Sequence, residues 1–459
     1  VSYIFSRKVF MQKLGIVSLG CPKNAVDTEL VLGDLQGDEY EITSDQKEAD
    51  IIIVNTCGFI ESSKKESIDA ILEMAALKTS GQCKKLVVTG CLSERYSDEL
   101  LKEIPEIDHM LGVNQYPRLK QILKESDPLK ENTSINHVHE PAEYFESYMN
   151  RVLTTPFYSA YLKLGEGCSN KCAFCIIPKI RGQFRSRSPQ SIISEAEHFA
   201  QHGVKEFNLI SQDTTMYGVD LKMKNGLVQL LKSLSKIKGI EWMRLFYCYP
   251  TFINSELIEY IASEEKVCNY VDVPLQHTHD FMLKRMKRQE TEKGVRSMID
   301  ELRTKVPEIA LRTTFITGFP GETDQHFKHL LEFVREIEFD HMGVFTYFHE
   351  EGTTAYNYQD LVPNEIAISR RDELMKTQQE INRRKNKARI GEILPVLIEG
   401  TDADEEYLVT GRLSTQAPDI DGQVIIEESD VEVGQILPML ITGSTDYDLV
   451  ARQAEKVST

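Results

Sequence analysis

Three things are scarce in this 459-residue chain, and each scarcity excludes a class of protein. No apolar run approaches the ~18 residues needed to span a bilayer, so we expect no membrane partner. Residues 1–10 lack the continuous apolar core of a signal peptide and look like an upstream extension, so we expect the fold to begin at Met11. Basic residues are in deficit, with 53 Lys and Arg against 71 Asp and Glu. The molecule as a whole therefore repels polyanions, and we expect no strong nucleic-acid binding.

A disulfide framework is also missing. The chain has nine cysteines, an odd count, and no secretion signal, which together favour a reducing compartment. We therefore expect a cytoplasmic protein. At about 150 residues per domain, the length predicts two to four domains.

The densest cysteine pattern is the stretch Gly165-Glu-Gly-Cys168-Ser-Asn-Lys-Cys172-Ala-Phe-Cys175, which follows an alternating, strand-like run at 159–164. Cubane iron-sulfur clusters normally take four cysteine thiolates, so a loop with three leaves one iron open. The alternatives are an incomplete zinc knuckle or three buried thiols. No His or Cys follows at zinc spacing, which favours the cluster.

The amino-terminal part alternates short apolar runs with helical patterns. Strands are predicted at 14–19, 51–54 and 86–89, and helices at 24–35, 62–77 and 94–103. This alternation predicts an open parallel α/β sheet with right-handed crossovers.

Three further cysteines, Cys21, Cys57 and Cys91, each lie just past the end of one of these predicted strands. The carboxyl ends of parallel strands share one edge, where ligands bind, so the three thiols should meet there. Neighbouring glycines, Gly20, Gly58 and Gly90, would let the backbone approach a bulky inorganic group. A second cluster is one interpretation, and three independent core thiols is the other. Cys83 lies off this edge and is expected to be a bystander.

Residues 124–155 lack clean periodicity and are predicted to be a linker. The stretch 156–390 alternates six strands with helices, which favours a partial (β/α)6 barrel with its site at the carboxyl ends of the strands. Polar and glycine residues gather at those ends: Ser211, Gln212, Gln276, Gly318, Gly321 and Glu322. For His277 and His279 we favour hydrogen bonding over metal binding. Arg181, Arg185 and Arg187 could hold a substrate carboxylate or form a solvated face.

A long helix is predicted at 363–390, with a basic end that is either a docking arm or solvated. Residues 391–459 then form short strands with turns, a pattern typical of a small antiparallel β-barrel. This tail has fifteen Asp and Glu against three Lys and Arg. A nucleic-acid-binding barrel should be basic, so we expect this one to seek a cationic protein surface.

From Met11 onward the chain resembles the methylthiotransferases of the radical S-adenosylmethionine superfamily. The resemblance implies an amino-terminal domain at 11–123, a radical barrel at 156–390 and a TRAM barrel at 391–459. It implies two 4Fe-4S clusters, one on Cys21, Cys57 and Cys91 and one on Cys168, Cys172 and Cys175. It also implies S-adenosylmethionine bound near Ser211, Gln212, Gln276, Gly318, Gly321 and Glu322.

Two branches of that family differ in substrate. The stretches 18–24, 174–178, 211–215 and 417–422 resemble the branch that acts on small-subunit ribosomal protein S-twelve. That branch implies methylthiolation of the β-carbon of an aspartate, with S-twelve or the ribosomal subunit, an electron donor and a sulfur donor as partners. The other branch modifies an adenosine of transfer RNA. An iron-sulfur carrier and an inactive ribosome-assembly binder are rival classes.

Overall fold

The structure is a computed structural model that describes residues 11–37, 39–125, 134–140, 148–401, 409–427 and 430–454. The predicted extension at 1–10 lies outside the described residues. The chain forms two compact units. The first contains residues through Thr154 together with Ile176–Gln183, and the second contains Thr155–Cys175 and the chain from Phe184 onward. In the described part of the chain, no helix has the length and apolarity to cross a membrane.

A six-stranded parallel sheet forms the centre of the first unit, in the order β2-β1-β3-β4-β5-β6. Its strands are β1 (Gln12–Ser18), β2 (Tyr40–Ile42), β3 (Ile51–Thr56), β4 (Lys85–Gly90), β5 (His109–Met110) and β6 (Ile135–Asn136). Its helices are α1 (Pro22–Leu35), α2 (Glu61–Ser80), α3 (Cys91–Glu103), α4 (Leu119–Glu125) and α5 (Ile177–Ile180). The predicted open parallel sheet is confirmed.

Alternate residues of the central strand β3 enter different cores. Ile51 and Ile53 pack with Leu32 of α1, whereas Ile52 and Val54 pack with Ile71 of α2. Side chains of a strand alternate between its faces, so a continuous apolar run marks a strand covered on both sides. Strands β2, β5 and β6 were not predicted, because two or three residues are too few to show a period. Strand β6 lies inside the stretch 124–155 that the sequence marked as a linker.

The second unit contains a parallel sheet in the order β14-β13-β12-β11-β10-β7. The strands before the terminal barrel are β7 (Ser159–Lys163), β8 (Gly165–Glu166), β9 (Arg185–Ser186), β10 (Glu206–Ile210), β11 (Trp242–Leu245), β12 (Val267–Asp272), β13 (Ala310–Thr317) and β14 (His341–Thr346). The helices are α6 (Pro189–Gln201), α7 (Gly226–Leu234), α8 (Ser255–Ser263), α9 (Asp280–Arg285), α10 (Glu292–Lys305), α11 (Asp324–Ile337) and α12 (Asn364–Ala388). Neighbouring strands follow chain order and the sheet stays open, as the partial (β/α)6 barrel predicts.

A closed five-stranded barrel ends the second unit. Its strands are β15 (Ile393–Thr401), β16 (Val409–Leu413), β17 (Val424–Ile426), β18 (Ile436–Ser444) and β19 (Leu449–Gln453). The sequence predicted an antiparallel barrel, and all pairs are antiparallel except β17 with β19, which is parallel. The small barrel is confirmed, with this one correction.

Charged side chains of the terminal barrel pair with oppositely charged groups of its own unit. Glu206 of β10 accepts hydrogen bonds from Arg244 at 2.9 Å and from Arg412 of β16 at 2.8 and 3.0 Å. Asp421 accepts from Tyr270 at 2.9 Å and lies 3.4 Å from Arg312. At the basic end of α12, Arg383 pairs with Asp446. Part of the acidic charge expected to face a partner is therefore compensated within the chain.

Candidate metal centres

The first candidate centre is the triad of Cys21, Cys57 and Cys91. Cys21 caps α1 directly after β1, Cys57 follows β3, and Cys91 opens α3 at the end of β4. Strands β1, β3 and β4 are neighbours, and the strand order reverses between β1 and β3. The crevice at such a reversal is where open α/β sheets bind ligands. The fold therefore places all three loops at one edge, as the sequence predicted.

Two of the glycines beside these cysteines lie against neighbouring cysteine loops. A Cβ on Gly20, whose φ is +92°, would lie 3.0 Å from the Sγ of Cys57. A Cβ on Gly90, whose φ is +107°, would lie 2.4 Å from the carbonyl oxygen of Thr56. Only a residue without a side chain fits at these contacts. The glycines thus allow the cysteine loops to pack against one another.

Asn24 ties the three loops together. Its Nδ2 donates to the carbonyl oxygens of Leu19 at 2.9 Å and Thr56 at 3.0 Å, which belong to the first two loops. Its Oδ1 lies 3.8 Å from the Sγ of Cys91 in the third. A buried amide with several partners has one orientation, so Asn24 fixes the positions of the three loops relative to one another.

A buried arginine completes this site, and its role was not recognised in the sequence. Arg181 follows α5 and is 1% exposed. Its Nη2 donates to Oδ1 of Asn24 at 2.5 Å and to Oδ2 of Asp27 at 3.0 Å. The sequence offered Arg181 for a substrate carboxylate, but Asp27 of the protein already occupies it. No local pattern could show this pairing, because Asp27 is 154 residues away in the chain.

Positive charge in this site favours thiolates, the form of cysteine that binds metals. Burial raises the pKa of Cys91 to about 12 and also raises the pKa of Cys57, while Arg181 acts in the opposite direction on both. At Cys21 burial also disfavours the thiolate, but Lys23 and Arg181 outweigh it and the net pKa is lowered. A nearby cation stabilises the charged sulfur in each case.

The second candidate centre is the loop of Cys168, Cys172 and Cys175, which follows β8. The amide of Cys175 donates to the carbonyl oxygen of Cys172 at 3.1 Å, which folds the end of the loop into a tight turn. The amide of Ala173 donates to the carbonyl oxygen of Met286, and its carbonyl oxygen accepts from the amide of Ala355, both at 2.8 Å. Asn170 donates to Oδ2 of Asp213 at 2.7 Å. The loop is therefore held by the unit around it and not by its own sequence alone.

Arg288 is the charged neighbour of the second triad, and no sequence pattern predicts it. Its Nη1 lies 3.9 Å from the Sγ of Cys172, and its Nε donates to Glu290. Burial raises the pKa of Cys172, and Arg288 opposes that rise. Burial also raises the pKa of Cys168, to about 11.

The residues predicted to contact S-adenosylmethionine lie at strand ends of the second unit. Ser211 is buried, and its hydroxyl donates to the carbonyl oxygen of Ile210 at 2.9 Å. Gln212 donates to Oε1 of Glu166 at 3.0 Å, and its own Oε1 is buried without a hydrogen-bond partner among the residues that the structure describes. Gln276 has a φ of +68° and forms an isolated bridge with Phe315 of β13. Gln212 thus offers an acceptor that a ligand could satisfy.

The glycine segment after β13 packs against helix α12. A Cβ on Gly318, whose φ is +75°, would lie 2.3 Å from the Cβ of Ala367. Glu322 accepts from the amide of Gly318 and, at 2.9 Å, from Nη1 of Arg370. The side chain of Glu322 has no exposed surface, so its role is to hold the loop by these buried hydrogen bonds. Gly321 lies against Arg285, where a Cβ would be 2.8 Å from Nε.

Two histidines act as hydrogen-bond acceptors, in line with the preferred interpretation. Nδ1 of His277 accepts from the amides of Thr278 at 2.8 Å and His279 at 3.0 Å. His279 caps α9 by accepting from the amide of Phe281 at 3.2 Å.

Arg187, a candidate for holding a substrate carboxylate, donates to Glu195 at 2.7 Å. It is therefore paired inside the protein and is not a solvated residue.

Each triad has a donor set that suits an iron-sulfur cluster: soft thiolates, largely buried, with one arginine nearby. Within the described ranges, no three His, Cys, Asp or Glu side chains are arranged to hold a single metal ion. A cubane differs, because each thiolate binds a separate iron at a separate corner. The residues therefore fit a cluster better than a mononuclear site.

Family models match three stretches in chain order: the uncharacterized protein family UPF0004 at 13–112, the radical SAM superfamily at 162–334 and the TRAM domain at 390–453. These matches define the chain as a radical S-adenosylmethionine enzyme. A ribosomal protein uS12 methylthiotransferase RimO from Trichlorobacter lovleyi is 47% identical over 445 residues, which are 97% of this chain and 99% of the relative. The chain belongs to the RimO family of methylthiotransferases, and the resemblance seen in the sequence is confirmed.

Other relatives agree with this assignment. A RimO from Geobacter sulfurreducens is 47% identical over 439 residues, with 96% of this chain and 98% of the relative covered. Among solved structures, the radical S-adenosylmethionine methyltransferase TsrM from Kitasatospora setae, with tryptophan and a SAM analogue bound, superposes with a TM-score of 0.54 at 14% identity, covering 72% of each chain. The cobalamin-dependent enzyme OxsB gives a TM-score of 0.52 at 14% identity, over 80% of this chain and 56% of that one. At such identities the solved structures establish the fold alone.

Proposed function

We propose that this chain methylthiolates the β-carbon of an aspartate in ribosomal protein uS12. The observation that carries the proposal is that both cysteine triads are complete in a chain of the RimO family, each with a buried arginine beside it. The relatives that match nearly the whole chain are named for that substrate, uS12.

The family uses S-adenosylmethionine and two 4Fe-4S clusters. We assign one cluster to Cys21, Cys57 and Cys91 and the other to Cys168, Cys172 and Cys175. Held by Cys168, Cys172 and Cys175, the second cluster would supply reductive radical chemistry with S-adenosylmethionine, the kind of chemistry that an unactivated carbon requires. A side-chain base could not remove so weakly acidic a hydrogen.

The chain's own residues position these groups and keep them dry. Asn24 and Arg181 hold the loops of the first triad together by a buried hydrogen bond. The Gly318 loop stays close to α12 because Glu322 bonds both the amide of Gly318 and the side chain of Arg370. We assign Gln212 an accepting role toward S-adenosylmethionine, since its buried Oε1 accepts no hydrogen bond within the described part of the chain. Ser211, Gln276 and Gly321 line the same strand ends. The cofactors perform the difficult chemistry, and the protein supplies placement.

Partners and boundaries follow from the same proposal. Acidic groups of 391–459 other than those paired with Arg312, Arg383 and Arg412 would face the basic ribosomal protein, alone or within its subunit. An electron donor and a sulfur donor are required, and we propose that the reaction takes place in the cytoplasm without strong nucleic-acid binding. We also propose domains at 11–123, 156–390 and 391–459, joined by a linker at 124–155.

Mass spectrometry tests the substrate. The reconstituted chain is incubated anaerobically with S-adenosylmethionine, reductant, a sulfur source and either uS12 or transfer RNA. We expect a methylthio group on one aspartate of uS12 and no change in the RNA. A methylthio adenosine in the RNA with unmodified uS12 would overturn the proposal. Cleavage of S-adenosylmethionine without any modified substrate would contradict it as well.

A further inference from the structure

Arg288, which lies between α9 and α10, is packed on every side of its guanidinium group. Nη2 donates to the carbonyl oxygen of Pro274 at 2.9 Å, and Nε donates to the carboxylate of Glu290. The Cζ atom lies 4.4 Å from the ring centre of Tyr249. Only 4% of the side chain is exposed. The guanidinium therefore has one orientation, and that orientation directs Nη1 at the Sγ of Cys172, 3.9 Å away.

The ion pair with Glu290 does not by itself explain this placement. Removing two charges from water costs several kcal/mol per ion, and a buried pair often contributes no net stability. Here the cation lies between a carboxylate on one side and a thiol on the other. Glu290 thus compensates the positive charge on one side only. On the other side the charge acts on Cys172, where a metal-bound thiolate would lie.

We propose that Arg288 raises the reduction potential of the iron-sulfur cluster held by Cys168, Cys172 and Cys175, acting through the sulfur of Cys172. This inference rests on the proposed function, which assigns that cluster to the triad. Hydrogen bonds to cluster sulfurs and the net charge nearby are main determinants of such potentials. The reduced cluster carries one more negative charge, so a fixed cation stabilises it more than the oxidised form.

The geometry gives the two partners opposite effects. Arg288→Gln removes the cation and makes reduction harder. Glu290→Gln leaves the cation without its counter-charge and makes reduction easier. Arg288→Lys keeps the charge but loses the planar fork, so its effect lies between those of the wild type and Arg288→Gln. A purely structural role would not produce shifts of opposite sign.

The test is a potentiometric titration followed by electron paramagnetic resonance. The protein is the full-length reconstituted chain carrying Ala at Cys21, Cys57 and Cys91, so that only the second cluster contributes. For Arg288→Gln we expect the equilibrium constant of one-electron reduction to fall about tenfold, a shift of ~59 mV to more negative potential. For Glu290→Gln we expect a shift to more positive potential.

Arg296 of α10 provides a matched control. It pairs with Glu292 at 2.9 Å and lies 4.6 Å from the ring of Phe333, so it shares the carboxylate and aromatic contacts of Arg288. Among the residues that the structure describes, its charged and aromatic partners are two carboxylates and this ring. We expect Arg296→Gln to leave the potential unchanged.

The outcomes separate this inference from the proposed function. Equal potentials, or shifts of one sign in Arg288→Gln and Glu290→Gln, would overturn the role of Arg288 while the cluster stands. A parent protein without iron would overturn the ligand assignment and the inference with it. If Arg288→Gln does not load iron, Arg288→Lys and Glu290→Gln decide the sign.

Discussion

The two cysteine triads bring three thiols together in different ways. Cys21, Cys57 and Cys91 are 36 and 34 residues apart in sequence and meet only because β1, β3 and β4 are neighbours in a sheet. Cys168, Cys172 and Cys175 share one eight-residue loop. The first set of ligands therefore comes together only when its sheet is folded, whereas the second set lies within eight residues of sequence even in the unfolded chain. Metal binding at the first triad is thus more tightly coupled to folding.

Exchanging either triad for alanine should have the largest effect and should divide the chemistry. Ala at Cys168, Cys172 and Cys175 should abolish both the cleavage of S-adenosylmethionine and the methylthiolation of uS12. Ala at Cys21, Cys57 and Cys91 should leave cleavage intact and abolish methylthiolation, because the second cluster remains. Chromatography of 5′-deoxyadenosine and mass spectrometry of uS12 measure the two. Loss of cleavage in the first-triad variant while it still holds iron would break this division.

Arg181→Met should destabilise the first unit. It removes the arginine that pairs with the buried Asp27, and breaking one side of a buried ion pair costs about 3–5 kcal/mol. Denaturant unfolding of the iron-free chain measures the loss. The control is Arg383→Ala, which removes an exposed pair with Asp446 and should leave the midpoint nearly unchanged. Equal effects of the two variants would show that Arg181 is not needed for the fold of the first site.

Acid should unfold the first unit through His109, which is buried and lies 3.3 Å from His137. Burial lowers the pKa of His109 from 6.5 to about 4, so the folded state favours the neutral ring. Its stabilisation is complete above pH 6.5 and is lost as the pH falls toward 4, by up to about 3 kcal/mol.

Thermal unfolding of the iron-free chain between pH 8 and pH 5 measures this loss. The variant His109→Gln should flatten the pH dependence of the unfolding of the first unit. His202 is exposed, so His202→Gln should leave that pH dependence unchanged. An unaltered slope in His109→Gln would contradict the account.

Cys83→Ala should have the smallest effect. Cys83 is buried in the core of the first unit, and its Sγ donates to the carbonyl oxygen of Lys85 at 3.4 Å, away from the triad edge. We expect unchanged iron content and a loss of about 1 kcal/mol in the free energy of unfolding. Loss of iron would mean that the first site has a ligand beyond the three cysteines.

The sequence allowed the sheet, the partial barrel and the terminal barrel to be predicted, because each rests on hydrophobic periodicity and turn residues. Both triads were also predictable, one from its spacing and the other from strand ends. The two arginines were not, since Arg288 meets Cys172 across 116 residues and Arg181 meets Asp27 across 154. Such pairings depend on tertiary packing, which leaves no local pattern.

The acidic tail shows a second limit of sequence reasoning. Its net charge suggested an external cationic partner, yet Asp421 contacts Arg312 and Glu399 accepts from Arg412 within the second unit. A charge count cannot separate carboxylates used inside the fold from those that face outward. The division of the second unit into a central barrel and a terminal domain at residue 390 stays a prediction.

Counting iron after anaerobic reconstitution tests the central claim most directly. Two cubanes predict about eight iron atoms per chain, about four when either triad is replaced by alanine, and none when both are replaced. About four iron atoms in the wild type, unchanged by alanine at Cys21, Cys57 and Cys91, would contradict the existence of the first cluster.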